Sequence, residues 1–368
     1  MKTIRRLIYG EVLAAVAFVT LGFLSLFFFF DFVEEIQSMG RHAAAGYGLV
    51  HGLAFVALMI PSHLYELLPI AVLIGTIFVM ARLAQSSEYT ILRTSGLGPW
   101  RALKALLLLG LGFVLLTFAI GDYLSPVADR TGQLLKARYQ GNITVGQTGA
   151  WLKERQPYSQ FAVNVNALAS DGSMRGVRIF EFDNQGFLRS TVQAETASYE
   201  GDDSWRLSGV ERTEFPARGA DTARIDRSRL DSFRWPNQIS SEMVSAALLK
   251  PERMSTIDLF QYIRHLRANV QSAQRYEIEF WKKVFYPLSC LVMVVLALPF
   301  AYLHFRSGGI ATYVFGGVMA GISFFLLNNV FGYIGNLQNW QPWLTAALPG
   351  MIYSLLSLTA FGWLVLRR

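Results

Sequence analysis

Six apolar stretches punctuate the chain, at residues 12–30, 64–83, 102–121, 284–303, 310–331 and 344–366. A helix needs about 20 apolar residues to cross the hydrocarbon core, and each stretch qualifies. The first holds no charge and ends in Phe27-Phe28-Phe29-Phe30-Asp31, without a small-residue cleavage site, so it reads as a retained anchor. The second lies in a longer apolar run, 49–84, interrupted by Pro61-Ser62-His63, Glu66 and Pro69. A straight helix over that run would reach about 54 Å, so the pattern predicts one span over 64–83, preceded by an apolar segment at the outer interface. The connection over 303–310 is so short that the fourth and fifth spans must be antiparallel neighbours.

Between the third and fourth stretches the period changes. Phe161, Val163 and Val165 alternate with Ala162, Asn164 and Asn166, the period-2 mark of a half-buried strand. Asp171-Gly172, Asn184-Gln185-Gly186, Gly201-Asp202-Asp203 and Arg218-Gly219 supply turn signals between runs rich in β-branched and aromatic residues. Strands so punctuated predict a sandwich, a jellyroll or an open barrel. Next, Ser255 and Asp258 form a capping-box pattern, and Leu259, Tyr262, Ile263 and Leu266 share one helix face. That helix is either a plain connector or a transmitter of motion. The expected class is a membrane α-helical protein with six transmembrane helices and an inserted all-β domain, jellyroll-like. Helices one to three occupy 1–122, the β domain 123–249, a helical connector 250–283, and helices four to six 284–368.

Charge orients this plan. The chain is 52% hydrophobic, only 16% charged, and carries a formal net charge of +7. Soluble domains carry about a quarter charged residues, so composition supports the membrane reading. Lys2, Arg5, Arg6, Arg82, Arg93, Arg101, Lys104, Arg306, Arg367 and Arg368 fall on one side of the alternating topology, with Glu11 and Glu88. The first loop on the other side holds Asp31, Glu34, Glu35 and Arg41. Positive loops stay inside, which places both termini in the cytoplasm and the β domain across the membrane. Residues 123–249 contain fifteen basic and fifteen acidic side chains, so the β domain is no nucleic-acid platform.

Several chemistries are absent from the sequence. No G-x-x-x-x-G-K-[ST], H-E-x-x-H or G-x-S-x-G motif occurs, and the five histidines lack ligand spacing. No metal site and no catalytic residue is expected. A single cysteine, Cys290, excludes a disulfide framework. Within the spans, His63 and Glu66 are the ionisable pair, three apart on a helix near its outer end. Such groups are functional candidates by default, although a hydrated helix end would also hold them.

One cytoplasmic segment has shape. In 85–99, Ser86 or Ser87 suits an N-cap, Glu88 and Arg93 complement the helix dipole, and Gly96 suits the C′ position. The predicted helix, near 86–96, is marginal alone. It persists only when docked by Tyr89, Ile91 and Leu92, either on its own bundle or on another subunit.

These residues carry a resemblance. The chain resembles the lipopolysaccharide export permeases, the LptF/LptG (YjgP/YjgQ) family of ABC-transporter membrane subunits. The most specific stretches are Pro61-Ser62-His63-Leu64-Tyr65-Glu66-Leu67-Leu68-Pro69, Ser87-Glu88-Tyr89-Thr90-Ile91-Leu92-Arg93-Thr94-Ser95-Gly96, and Phe280-Trp281-Lys282-Lys283-Val284-Phe285-Tyr286-Pro287-Leu288 continuing to Ala297-Leu298-Pro299-Phe300. The run Asp31-Phe32-Val33-Glu34-Glu35 is closer to the G-type member. The resemblance implies a heterodimer with an LptF paralogue, a dimer of the ATPase LptB, the single-span LptC and a periplasmic LptA bridge, with lipopolysaccharide as substrate. It also implies an inner-membrane location. ATP and Mg would bind in the partner, leaving this chain without cofactor or catalysis. Ser87, Glu88, Tyr89, Ile91, Leu92, Arg93 and Gly96 would form the coupling helix. Phe27, Phe30, Val33, Arg41, Glu66, Gly317 and Gly321 would belong to the lateral gate and lipid path, and Phe161, Val163 and Val165 to the β-domain conduit. Acids dominate the outer end of the first span, so phosphate would be gripped by the partner subunit or bridging divalent cations. The rival class is a polytopic scaffold or insertase-like protein whose β domain binds proteins and moves no lipid. An intramembrane hydrolase built on His63 and Glu66 would need a nucleophile that no motif supplies.

Overall fold

The computed structural model describes residues 2–366 apart from 44–45, 141–148, 170, 202, 217–223, 238, 241–242, 245–250 and 303–309. The expected Arg218-Gly219 turn, Asp202, Arg306 and the terminal arginines lie outside the described residues. The chain divides into two compact units, one of 1–34, 56–128 and 277–368, the other of 35–55 and 129–276.

The first unit is helical, and residues 35–42, 49–55, 129–140 and 274–276 of the helices named next belong to the second. Helix α1 (Lys2–His42) and α2 (Leu49–Gln85) are followed by the short α3 (Glu88–Thr94) and by α4 (Pro99–Ala119). A π-turn over Ile120–Leu124 leads from α4 into α5 (Ser125–Gln140). Later in the chain come α7 (Gln274–Phe285), α8 (Ser289–Ala297), α9 (Ile310–Leu337) and α10 (Pro342–Ala360). Among the described residues five helices are long and apolar enough to cross a membrane, six when the pair α7–α8, bent by 46°, counts as one span.

Helix α2 forms the centre. Ala71, Val72, Leu73, Ile77, Val79, Met80 and Leu83 are all buried, as befits a helix that is apolar all round. Around it pack Val12 and Val16 of α1, Leu106, Leu109 and Phe113 of α4, and Met293 and Val294 of α8. Glycines permit the closest approaches. A Cβ on Gly75 would stand 2.8 Å from the Val16 backbone nitrogen, and one on Gly110 would stand 3.0 Å from Leu291.

The sequence pattern and the structure differ on α2. A break before residue 64 was expected, yet the helix runs unbroken over 37 residues with Pro61 and Pro69 inside it. In lipid no water competes for the freed carbonyls, and neighbouring side chains satisfy them, so proline kinks a span without ending it. The third span also continues further, because α5 keeps residues 125–140 helical where the β domain was expected to start.

The second unit is built on a six-stranded antiparallel sheet in the order β1-β2-β3-β4-β5-β6. The strands are Ala150–Arg155, Gln160–Leu168, Met174–Phe182, Leu188–Gly201, Ser204–Glu214 and Asp226–Pro236. This is the inserted all-β domain expected from sequence, and among the described residues every strand pairs with its sequence neighbour. Leu152, Val163, Ile179 and Val192 stand in register on the buried face. Gly176 and Gly209, both at φ of 62°, flank Glu195 on the adjacent strand. There the buried positions change parity, to Met174, Ala197 and Leu207. The turns follow their residues: Asp171 Oδ1 accepts from Ser173 N at 2.9 Å, and Asp183 Oδ1 from Gln185 N at 2.9 Å.

Helix α6 (Thr256–Ala268) carries the expected capping box. Asp258 N donates to Ser255 Oγ at 3.1 Å and Ser255 N to Asp258 Oδ2 at 3.2 Å. Leu259, Tyr262, Ile263 and Leu266 are buried as one face.

Candidate functional site

Helix α3 is shorter than expected and starts differently. Ser87 sits at φ of 60°, in the left-handed region, and gives no side-chain cap. Ser86 Oγ instead donates to Leu83 O at 3.4 Å. Glu88 therefore opens the helix alone, complementing its positive end. The C-terminus follows the residues: Gly96 is at φ of 99°. Gly96 N donates to Arg93 O and Leu97 N to Leu92 O, the double closure of a Schellman motif.

The anchors of α3 are unequal. Tyr89 is buried, its ring 5.2 Å from that of Tyr302 at the end of α8's following turn. Burial raises the pKa of its phenol. Leu92 packs on the helical core, and the Arg93 guanidinium lies 5.6 Å from the centre of the Tyr302 ring. Ile91 is 62% exposed, and Glu88, Thr90 and Thr94 are exposed beside it. Tyr89 and Leu92 thus hold the helix to its own bundle, while Ile91 and Glu88 are presented outward. Of the two docking modes open from sequence, the structure shows the one on the chain's own bundle.

The candidates along the spans separate in the same way. Phe30 and Val33 are exposed on α1, whereas Phe27 packs on the His63 imidazole, ring centres 4.9 Å apart. Gly317 and Gly321 of α9 are buried against α2: a Cβ on either would lie 2.7 Å from Ile77 or Ile70. The small-residue face is occupied within the chain. The outward face of α9 carries Phe315, Met319, Ile322, Leu326 and Val330. Arg41 is exposed, its Nε donating to Gln37 O at 3.4 Å.

His63 and Glu66 do not form a pair. His63 Nε2 meets Asp31 Oδ2 at 2.6 Å, while the Glu66 side chain is exposed and its backbone carbonyl accepts from Tyr286 Oη at 2.5 Å. The acids after the first span are likewise partnered. In the sheet-containing unit Glu35 is buried, bound by Lys136 Nζ at 2.7 Å and Tyr47 Oη at 2.9 Å. Burial, and then the Glu35 carboxylate, raise the pKa of the Tyr47 phenol. Lys136 also lies 4.0 Å from the centre of the Phe55 ring. Sequence reasoning missed these pairs, because partners 32 and 101 residues apart share no local period.

On the sheet, Val163 and Val165 are fully buried and Phe161 is half-buried, its ring 6.1 Å from Trp235. All three lie on the covered face. Trp205 Nε1 donates to Ile239 O at 2.7 Å, so the chain just after β6 is tied to that buried indole. Among the described residues no group of three or more His, Cys, Asp or Glu side chains could hold a metal ion.

Comparison with known proteins accounts for the whole arrangement. Residues 6–366 match the family model described as "Lipopolysaccharide export system permease LptF/LptG". The chain is 27% identical over 365 residues to the lipopolysaccharide export system permease protein LptG of Escherichia coli (strain K12), covering 98% of this chain and 97% of that protein. It is 27% identical over 371 residues to the LptG protein of Haemophilus influenzae, covering 100% and 99%. Apolar helices, an inserted antiparallel sheet and this end-to-end match agree: the chain belongs to the LptF/LptG family of lipopolysaccharide export permeases and is LptG-like.

Proposed function

We propose that this chain is the non-catalytic permease subunit of a bacterial inner-membrane exporter that extracts lipopolysaccharide and passes it to a periplasmic bridge. ATP hydrolysis in a separate subunit drives it. The observation that carries the reading is α3: Tyr89 and Leu92 fasten it to the bundle, and Glu88 and Ile91 stand free on the outer face of the helix. A push on that face reaches the membrane helices through the Tyr89–Tyr302 contact. The arrangement suits docking into a groove of an ATPase, which is where the missing nucleotide motif would reside.

In this reading both termini are cytoplasmic, the sheet is periplasmic, and ATP with Mg is held by a dimer of LptB. An LptF paralogue completes a heterodimer, LptC joins it, and the LptA bridge receives the lipid. The lateral gate uses the exposed faces of α1, with Phe30 and Val33, and of α9. The buried Gly317 and Gly321 keep α9 close to α2. Lipid passing along the sheet by Phe161, Val163 and Val165 would have to displace what covers that face.

Copurification of the full chain with its partners, followed by ATPase assay with and without lipopolysaccharide, tests this. Glu88→Lys is expected to release the ATPase or abolish lipid stimulation while the chain still inserts. Full lipid-stimulated hydrolysis in that variant would overturn the coupling role. A chain that copurifies with no ATPase at all would point to a scaffold instead.

A further inference from the structure

The helical unit loses its regularity at a π-turn and at a bend, α2 carries a proline inside its helix, and the three places are bonded to one another. In α2, Pro69 has no N–H for the carbonyl of Tyr65, and its ring crowds the preceding turn. Between α4 and α5 the π-turn Ile120–Leu124 widens the backbone by a residue. Between α7 and α8 the axis bends by 46° at residues 286–288, where Pro287 interrupts the chain.

The links run from side chain to backbone. Lys283, buried in α7, donates from Nζ to the Gly121 carbonyl in the π-turn at 2.8 Å. The same ammonium lies 5.7 Å from the centre of the Tyr65 ring, and that ring fills the space where a Cβ on Gly121 would stand. Tyr286, at the bend, donates from Oη to the Glu66 carbonyl three residues before Pro69 at 2.5 Å. Its ring lies 5.2 Å from Tyr65. Ser62 and Ser125 close the set with a hydroxyl–hydroxyl bond of 2.6 Å between α2 and α5.

We propose that the hydrogen bond missing at Pro69, the π-turn and the 286–288 bend are one composite hinge, pinned by Tyr65, Lys283 and Tyr286. The stretches 56–68 of α2, 118–128 at the π-turn and 277–285 of α7, all within the helical unit, flex together about it. Regular i→i−4 ladders on either side resist bending, and helix bends concentrate at prolines and π-bulges. A side-chain bond to a carbonyl can release and re-form without unwinding a helix. The inference rests on the helical unit alone and does not require the transport reading.

Hydrogen–deuterium exchange on the full chain in lipid nanodiscs, without partners, tests it through segments 62–70, 118–126 and 282–290. In the unaltered chain the three segments should exchange faster than the helix on either side. Tyr286→Phe removes one hydroxyl, yet should raise exchange about fivefold in 118–126 as well as in 62–70. Lys283→Met should loosen 62–70 together with 118–126, and Lys283→Arg, which keeps a donor, should stay within about twofold of the unaltered chain. Ser323→Ala, in a hydroxyl pair with Tyr353 on α9 and α10, should move none of the three. If each substitution loosens only the segment its own side chain touches, or none, the irregularities are independent and the composite hinge is wrong. Should Lys283→Met fail to fold, Tyr286→Phe decides the matter alone.

Discussion

The Nε2 atom of His63 lies 2.6 Å from a carboxylate oxygen of Asp31, tying α2 to α1 across 32 residues of sequence. Neither residue gains its partner from the local pattern, and the imidazole is further held by the Phe27 ring. A double-mutant cycle with Asp31→Asn and His63→Gln, read by thermal unfolding in lipid nanodiscs, should give a coupling energy of about 1 kcal/mol, the partial exposure of both side chains limiting it. Additive single effects would mean that the pair forms without holding the helices together.

Gly75→Ala should destabilise the chain by about 1–3 kcal/mol. The new methyl would meet the backbone of Val16, which cannot rotate away as a side-chain tip could. Chemical unfolding checks the size of the effect. Gly22→Ala on α1, where a Cβ meets nothing within 4 Å, is the control and should be neutral or slightly stabilising.

The two faces of α3 should separate in mutagenesis. Ile91→Asp is expected to weaken association with an ATPase at least tenfold (about 1.4 kcal/mol) and to leave the melting temperature of the isolated chain unchanged. Tyr89→Ala should lower that melting temperature, because it empties the contact with Tyr302. Equal effects of both substitutions on stability would remove the distinction between an anchor face and a free face.

Helix α6 carries a pH dependence. Burial lowers the pKa of His265 below its ordinary value of 6.5. Asn269 Nδ2 lies 3.3 Å from Nδ1, so Nδ1 accepts and Nε2 carries the proton, with no hydrogen-bond partner among the described residues. The unfolded chain therefore takes up a proton at a higher pH than the folded one. The stability tied to a neutral His265 is complete above pH 6.5 and declines as pH falls toward the folded pKa. Melting curves between neutral and mildly acidic pH should show this decline, and His265→Gln should flatten it.

Sequence alone reached the features that rest on local chemistry. The strand over 161–166, the turns at Asp171-Gly172 and Asn184–Gly186, and the Ser255–Asp258 capping box each act within a few residues and are where they were expected, although Asn164, on the polar side of the alternation, is buried too. What escaped depends on medium or on distance. Prolines end helices in water, but α2 runs on through both of its own. Residues 125–140 stay helical although Arg130, Lys136 and Arg138 end the apolar pattern. Ser87 was the natural cap, yet its left-handed backbone turns it away from the helix it precedes. The ion pairs of Asp31 and Glu35, and the seat of Lys283 on Gly121, join helices that no single period relates.

The bond between Glu35 and Lys136 also sets a schedule. Its partners stand 101 residues apart in the chain, and translation proceeds at about 5–20 residues per second. Glu35 is thus synthesised roughly 5–20 s before its ammonium partner exists. During that interval the first helical hairpin has left the ribosome with a carboxylate that the finished protein buries. The carboxylate and the ammonium that neutralises it thus come together only once α5 has been made.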